Sequence, residues 1–169
     1  MNILITNPIS PDAIEELRKR HDVICAYNAS KEHLQALIRD REVLIFRSGI
    51  FISGELLDCS PNLRLLIRAG SGIDNIDMDY VRRRCITLER IPEPAAKAVA
   101  EMSFALMLAL ARNIIEADRL LRQGHWAKND LNGFLLTGKV LGIIGVGNIG
   151  SRVGQLGVAW GMKVIGCVD

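Results

Sequence analysis

The chain has 169 residues, of which 49% are hydrophobic, 24% charged and 5% aromatic, with a formal net charge of +2. That is the composition of a folded globular chain with room for a buried core, and it excludes a disordered one. The even charge and scarce aromatics argue against a nucleic-acid surface or an electrostatic footprint for an anionic membrane.

The amino terminus, Met1–Thr6, lacks the basic stretch of a secretory signal and meets Pro8 and Pro11 after one short apolar run. The most apolar helical stretch, near 98–111, carries Glu101 and meets Arg112, too soon for a membrane span. Cys25, Cys59, Cys85 and Cys167 are scattered, with no CxxC pair and no zinc spacing. They read as reduced, mostly buried thiols of a cytoplasmic protein.

Strand and helix signals then alternate. Asn2–Thr6 predicts a strand, and Pro11 opens a helix behind Ser10 as N-cap. Asp22–Ala26 predicts the second strand, and Ser30 caps a helix over Lys31–Arg39. Val43–Phe46 is the third strand and ends at Arg47-Ser48-Gly49; a short helix follows over Ser53–Leu57. Leu63–Ile67 is the fourth and ends at the loop Arg68-Ala69-Gly70-Ser71-Gly72. A helix over Asp77–Arg83 and a strand over Ile86–Leu88 complete the set. Strands separated by helices imply parallel crossovers, and ligands gather beyond the carboxyl ends of such strands. Arg47–Gly49 and Arg68–Gly72 are therefore the first candidate site loops. Arg82-Arg83-Arg84 reads as a solvated complement to a helix end rather than an anion site.

Pro92 and Pro94 mark a boundary, which predicts one domain over 1–96 and another over 97–169. A single long helix is predicted from Ala95 to about Gln123, with Gly124 as its stop. The sharpest chemical signal comes next. An apolar strand ends in Gly145-Val146-Gly147-Asn148-Ile149-Gly150, followed by a helical stretch over Ser151–Trp160 and a strand over Lys163–Cys167. An acid, Asp169, stands 19 positions after Gly150. In that context GxGxxG is a dinucleotide-binding fingerprint. Gly145 permits the tight turn, Gly147 lets backbone approach a diphosphate, and Gly150 allows close helix packing. An acid at the end of the second strand would bond the ribose hydroxyls and favour NAD over NADP.

Several stretches carry a resemblance: Leu66-Ile67-Arg68-Ala69-Gly70-Ser71-Gly72-Ile73-Asp74-Asn75-Ile76-Asp77, Ala98-Val99-Ala100-Glu101, Gly124-His125-Trp126 and Thr137-Gly138-Lys139 leading into the glycine turn. With them the sequence resembles the D-isomer-specific 2-hydroxyacid dehydrogenases, particularly the D-3-phosphoglycerate dehydrogenase branch. The resemblance implies a flavodoxin-like substrate domain followed by the first β-α-β of a Rossmann NAD domain, with the active site in the cleft between them. It implies that the loop Arg68–Gly72, with Arg68, Gly70, Ser71 and Gly72, offers backbone N–H groups to the substrate carboxylate, that Ser71 also touches the cofactor, and that Arg47 and Ser48 hold a phosphate end. It further implies Asn148 and Ile149 against the diphosphate, and a homodimer built through the long helix over 95–123.

The resemblance is imperfect in two places. Ungapped alignment puts Val168, not Asp169, at the family's ribose-binding Asp, so either the strand end is one residue longer or ribose contact is weakened. The family's catalytic Arg, Glu and His find no match in this sequence, since His21, His33 and His125 lie elsewhere and none stands near a carboxylate in a suggestive motif. His125 reads as a surface residue. The sequence is therefore expected to be the amino-terminal part of a dehydrogenase, without turnover of its own. The alternative is a non-catalytic nucleotide-binding or dimerisation module of the same descent.

Overall fold

Pro8 closes the first strand, because it offers no N–H to a neighbour and holds Asn7 out of the helical region. The computed structural model describes residues 1–168 and divides into two compact units, Met1–Pro92 and the chain from Glu93 onward. The division falls a few residues before 96/97 because the next helix already begins at Glu93.

In the first unit β1 (Asn2–Ile5), α1 (Pro11–Arg18), β2 (Asp22–Cys25), α2 (Lys31–Leu37), β3 (Val43–Phe46), α3 (Gly54–Asp58), β4 (Leu65–Arg68), α4 (Met78–Arg83) and β5 (Thr87–Arg90) follow in order. Every pairing is parallel, and the strand order is β2-β1-β3-β4-β5. That is the flavodoxin-like order, with its switch point between β1 and β3. The two central strands are buried on both faces. Leu4, Leu44 and Phe46 pack with Leu34, Ile38 and Leu66 on one side, while Ile3, Ile5, Val43 and Ile45 pack with Ile14 on the other. Each such side chain contributes about 1.5–3 kcal/mol of burial. Ser30, Ser53 and Asp77 cap their helices by accepting from the N–H groups of His33, Leu56 and Tyr80, worth about 1 kcal/mol each. Arg84 is bound internally, donating to the carbonyls of Leu57, Ser60 and Pro61.

The second unit holds α5 (Glu93–Ala111), α6 (Ile114–Arg122), β6 (Val140–Ile144), α7 (Asn148–Ala159) and β7 (Lys163–Cys167). Strands β6 and β7 pair in parallel across α7. The single helix expected over 95–123 is broken in two. Asn113 takes a left-handed φ of 53°, a conformation asparagine tolerates better than most residues. Its Nδ2 donates to the Asn132 carbonyl, and the Phe134 N–H donates to the Ala111 carbonyl at the end of α5. Gly124 does end α6, its N–H donating to Leu121.

Helix α5 buries Ala96, Ala100, Phe104 and Ala111 and leaves Val99, Met102, Leu106 and Leu110 exposed. Phe104 lies 5.8 Å from Trp160, centroid to centroid, in a small core with Leu136 and Met162. By length and composition alone α5 is apolar enough to cross a membrane, with a mean hydropathy of 1.4. Glu101 does not break the stretch as the sequence suggested. The cysteines also differ from expectation. All four are free, but Cys25 and Cys59 are half-buried and Cys85 and Cys167 exposed. Cys85 stands in the turn between α4 and β5, and Cys167 ends a strand whose outer residues face solvent.

Candidate functional site

A parallel sheet sends every strand out on the same side, so the loops after β1, β3, β4 and β5 gather at one edge. Arg47 and Ser48 are exposed there. Asn7 ties them down: its Oδ1 accepts from the Arg47 N–H at 2.8 Å and its Nδ2 donates to the Ser48 carbonyl at 3.2 Å. Beyond them Gly49, Ile50 and Phe51 wall an open cavity of about 430 Å³ with Ala29, Leu34 and Leu56.

Arg68 differs from expectation. It does not open the loop but ends β4, and only 9% of it is exposed. Its guanidinium carbon sits 5.7 Å from the centroid of the Phe46 ring, and its Nε donates to the Gly72 carbonyl at 3.0 Å. Burial first, and the neighbouring Arg47 charge second, push its pKa below the ordinary guanidinium value, while Asp74 opposes them. It remains charged at any working pH. Among the described residues neither Arg47 nor Arg68 forms a salt bridge.

The backbone between them is turned in a definite sense. The Arg68 carbonyl accepts from the N–H groups of Gly70 and Ile91, and the Ser71 carbonyl accepts from Arg90 Nη1 at 3.2 Å. With the carbonyls of Arg68, Ser71 and Gly72 engaged, the N–H groups of Ser71 and Gly72 have no internal partner among the described residues. Ala69 and Gly70 spend their N–H groups on the Phe46 and Arg68 carbonyls, so within the loop Arg68–Gly72 the free donors are those of Ser71 and Gly72. Free N–H groups on a loop that also carries a cation without an ion pair are the chemistry that suits an anion. Sequence patterning does not single out Asn7 or Arg90. The only available signal is their place at the carboxyl ends of β1 and β5.

In the second unit the glycine turn joins β6 to α7. Gly145 takes a φ of +86° and donates its N–H to the Cys167 carbonyl at 2.9 Å. Gly147 is the N-cap of α7, is exposed, and a Cβ on it would meet no protein atom within 4 Å. Helix α7 begins at Asn148, three residues before the Ser151 expected from sequence, so Asn148, Ile149 and Gly150 form its first turn. Their N–H groups have no helical acceptor, and the positive end of the helix dipole lies with them. Gly150 is buried. Open backbone at Gly147 above unpaired first-turn amides fits a diphosphate bridge. Val168, after β7, is 74% exposed, and Asp169 lies outside the described residues. His125 is exposed as expected, but its Nε2 stands 3.3 Å from Asp130 Oδ2, a carboxylate neighbour the sequence did not suggest. No cluster of metal-ligating side chains occurs among the described residues.

Comparison with known proteins gives a consistent assignment. Residues 3–148 match the family described as D-isomer specific 2-hydroxyacid dehydrogenase, catalytic domain. The chain is 38% identical over 166 residues to a D-3-phosphoglycerate dehydrogenase of Methanocaldococcus jannaschii, covering 98% of this chain and 32% of that one. It is 35% identical over 162 residues to a hydroxypyruvate reductase of Thermotoga maritima, covering 95% and 53%. The crystal structure of an Aquifex aeolicus D-lactate dehydrogenase complexed with NAD and lactic acid superposes with a TM-score of 0.85 at 26% identity, over 100% of this chain and 52% of that one. The chain thus spans about half or less of the length of these relatives.

Proposed function

The chain belongs to the D-isomer specific 2-hydroxyacid dehydrogenase family, and within it we propose an NAD-dependent oxidoreductase acting on the CH–OH group of a D-2-hydroxy acid. The observation that carries this reading is the turn between β6 and α7, open at Gly147 and lined by first-turn amides. NAD, when bound, supplies the hydride acceptor. Gly145, Gly147, Asn148, Ile149 and Gly150 would hold its diphosphate, with the α7 amides donating to the phosphate oxygens. Asp169 is assigned to the ribose hydroxyls, which favours NAD over NADP.

Residues 1–96 form the substrate domain in this reading, and 97–169 belong to the NAD domain. Ser71 and Gly72 donate their free N–H groups to the substrate carboxylate. Arg47, Ser48 and Arg68 receive a second anionic group, which supports a substrate of the 3-phosphoglycerate type over one of the hydroxypyruvate or glyoxylate type. Reduction of a 2-oxo acid also needs a proton donor at the carbonyl and a cation fixing the carboxylate. The resemblance places the family's Arg, Glu and His at positions this sequence does not contain. Residues 1–169 alone are therefore expected to bind NAD without turnover. The exposed apolar faces of α5 and α6 support a homodimer, and four free thiols suit a reducing, cytoplasmic setting.

Calorimetry with NAD, paired with NADH absorbance in the presence of hydroxypyruvate or 3-phosphoglycerate, tests this directly. Saturable NAD binding with a flat absorbance trace is the expected pair. Absence of NAD binding removes the cofactor assignment. A sustained absorbance change removes the expectation that these residues are inactive alone.

A further inference from the structure

We propose that Asn7 is a positioning residue for anion recognition, its side-chain amide standing in for a missing peptide group at the carboxyl end of β1. The inference rests on the reading of the Arg47–Ser48 loop as facing substrate. The last backbone rung between these strands runs from the Thr6 N–H to the Ile45 carbonyl at 3.0 Å. Pro8 cannot extend the ladder, yet two backbone groups just past the end of β3, the Arg47 N–H and the Ser48 carbonyl, are both satisfied. Asn7 supplies one acceptor at 2.8 Å and one donor at 3.2 Å, as a peptide unit would. The amide faces the one way that satisfies both groups, with Oδ1 toward the Arg47 N–H and Nδ2 toward the Ser48 carbonyl.

Only a neutral amide does this without altering the charge of the loop. An aspartate would still accept from the Arg47 N–H. It would also set a carboxylate against the Ser48 carbonyl and place a negative charge beside Arg47, which has no ion-pair partner among the described residues. Asn7 thus fixes the backbone that carries Arg47 while leaving the guanidinium available to an anion. Asp and Ala separate these two effects, because Asp keeps the tie to Arg47 and loses the neutrality, whereas Ala loses both hydrogen bonds.

The test uses the 169-residue chain, ¹⁵N-labelled, with inorganic phosphate as the probe. In the unsubstituted chain, phosphate is expected to shift the Arg47 and Ser48 amide signals saturably. In Asn7→Ala, hydrogen exchange at the Arg47 amide should accelerate about fivefold to tenfold, and the phosphate dissociation constant should rise by a similar factor. In Asn7→Asp, the Arg47 amide should stay protected while phosphate affinity still falls. The amides of Leu4 and Leu44 report that the sheet is intact in each case. Unchanged Arg47 exchange in Asn7→Ala overturns the tie. Phosphate affinity unchanged in Asn7→Asp overturns the positioning role. If phosphate shifts nothing in the unsubstituted chain while Arg47 exchange still depends on Asn7, the substrate-facing reading fails and the positioning role with it, although the hydrogen bonds stand.

Discussion

Gly150 passes so close beneath Gly145 that a methyl group on it would stand 2.1 Å from the Gly145 carbonyl oxygen. Gly147, two residues past Gly145, has nothing within 4 Å of the same position. One glycine of the turn therefore serves the fold and another leaves space for a ligand, and substitution separates the two. Gly150→Ala should destabilise the second unit by about 2–4 kcal/mol through steric overlap that backbone cannot relieve cheaply. Gly147→Ala should change stability by less than about 1 kcal/mol, since its backbone suits other residues, yet abolish NAD binding. Denaturant melts and calorimetry on the two variants check this. Undiminished NAD binding by Gly147→Ala would falsify the assignment of that backbone to the diphosphate.

Arg68 carries a buried positive charge with one hydrogen bond, to the Gly72 carbonyl, and one aromatic face, that of Phe46. Removing the charge while keeping the bulk relieves desolvation and loses the bond, two effects of opposite sign. Arg68→Met should therefore stay within about 1 kcal/mol of the parent, whereas Arg68→Ala also leaves a void and should lose about 2–3 kcal/mol. Both should weaken binding of inorganic phosphate by about tenfold or more, roughly one charge-assisted hydrogen bond. Intact phosphate affinity in Arg68→Met would remove Arg68 from the anion site.

The legible part of this molecule was the part written locally. Ser30 announces a helix it does cap, and the strand over Val43–Phe46 ends where Arg47-Ser48-Gly49 breaks the apolar run. The glycine turn could be placed because its chemistry sits within six consecutive residues. Arg68 was half legible, since period-two alternation puts it on the same face as the buried Leu66 once β4 is allowed to run that far. The break at Asn113 was not legible, because one residue in a left-handed conformation leaves the apolar spacing on either side nearly unchanged. Nor was Asn7, whose partners lie 40 and 41 positions away and become neighbours only when β1 and β3 pair.

At the amino edge of the sheet, Glu42 accepts from the Asn2 N–H and pairs with Arg64 and the terminal amine. The backbone bond from Asn2 first, then Arg64 and the terminal charge, hold its carboxyl below the usual glutamate range, with desolvation opposing. A depressed carboxylate pKa means the unfolded chain binds the proton more readily. The stabilisation is therefore complete above the unfolded value of about 4.3 and is lost as pH falls through the lower folded value. Glu42→Gln should accordingly flatten the acid limb of stability, with its deficit at neutral pH shrinking as the solution is acidified. Thermal melts from neutral pH into the acid range read this, and parallel curves for the two proteins would refute it.

Met102, Leu106 and Leu110 stand at four-residue spacing on α5, with 60%, 57% and 76% of each exposed, and Ile115 on α6 is 71% exposed. Side chains at that spacing share one helix face, and a contiguous apolar stripe left to water is the mark of a covered surface. If a second copy covers it, a charge placed in its middle must be desolvated without a partner. Leu106→Glu and Leu110→Glu should each raise the dimer dissociation constant by about a hundredfold, near 3 kcal/mol, while Leu110→Ala should raise it about tenfold. Helical circular dichroism should be unchanged in all three, because none of these side chains belongs to the core that α5 shares with Trp160 and Met162. Sedimentation velocity over a concentration series gives the comparison. A parent chain that sediments as a monomer throughout, or a Leu110→Glu variant that remains a dimer, would move the interface off this face.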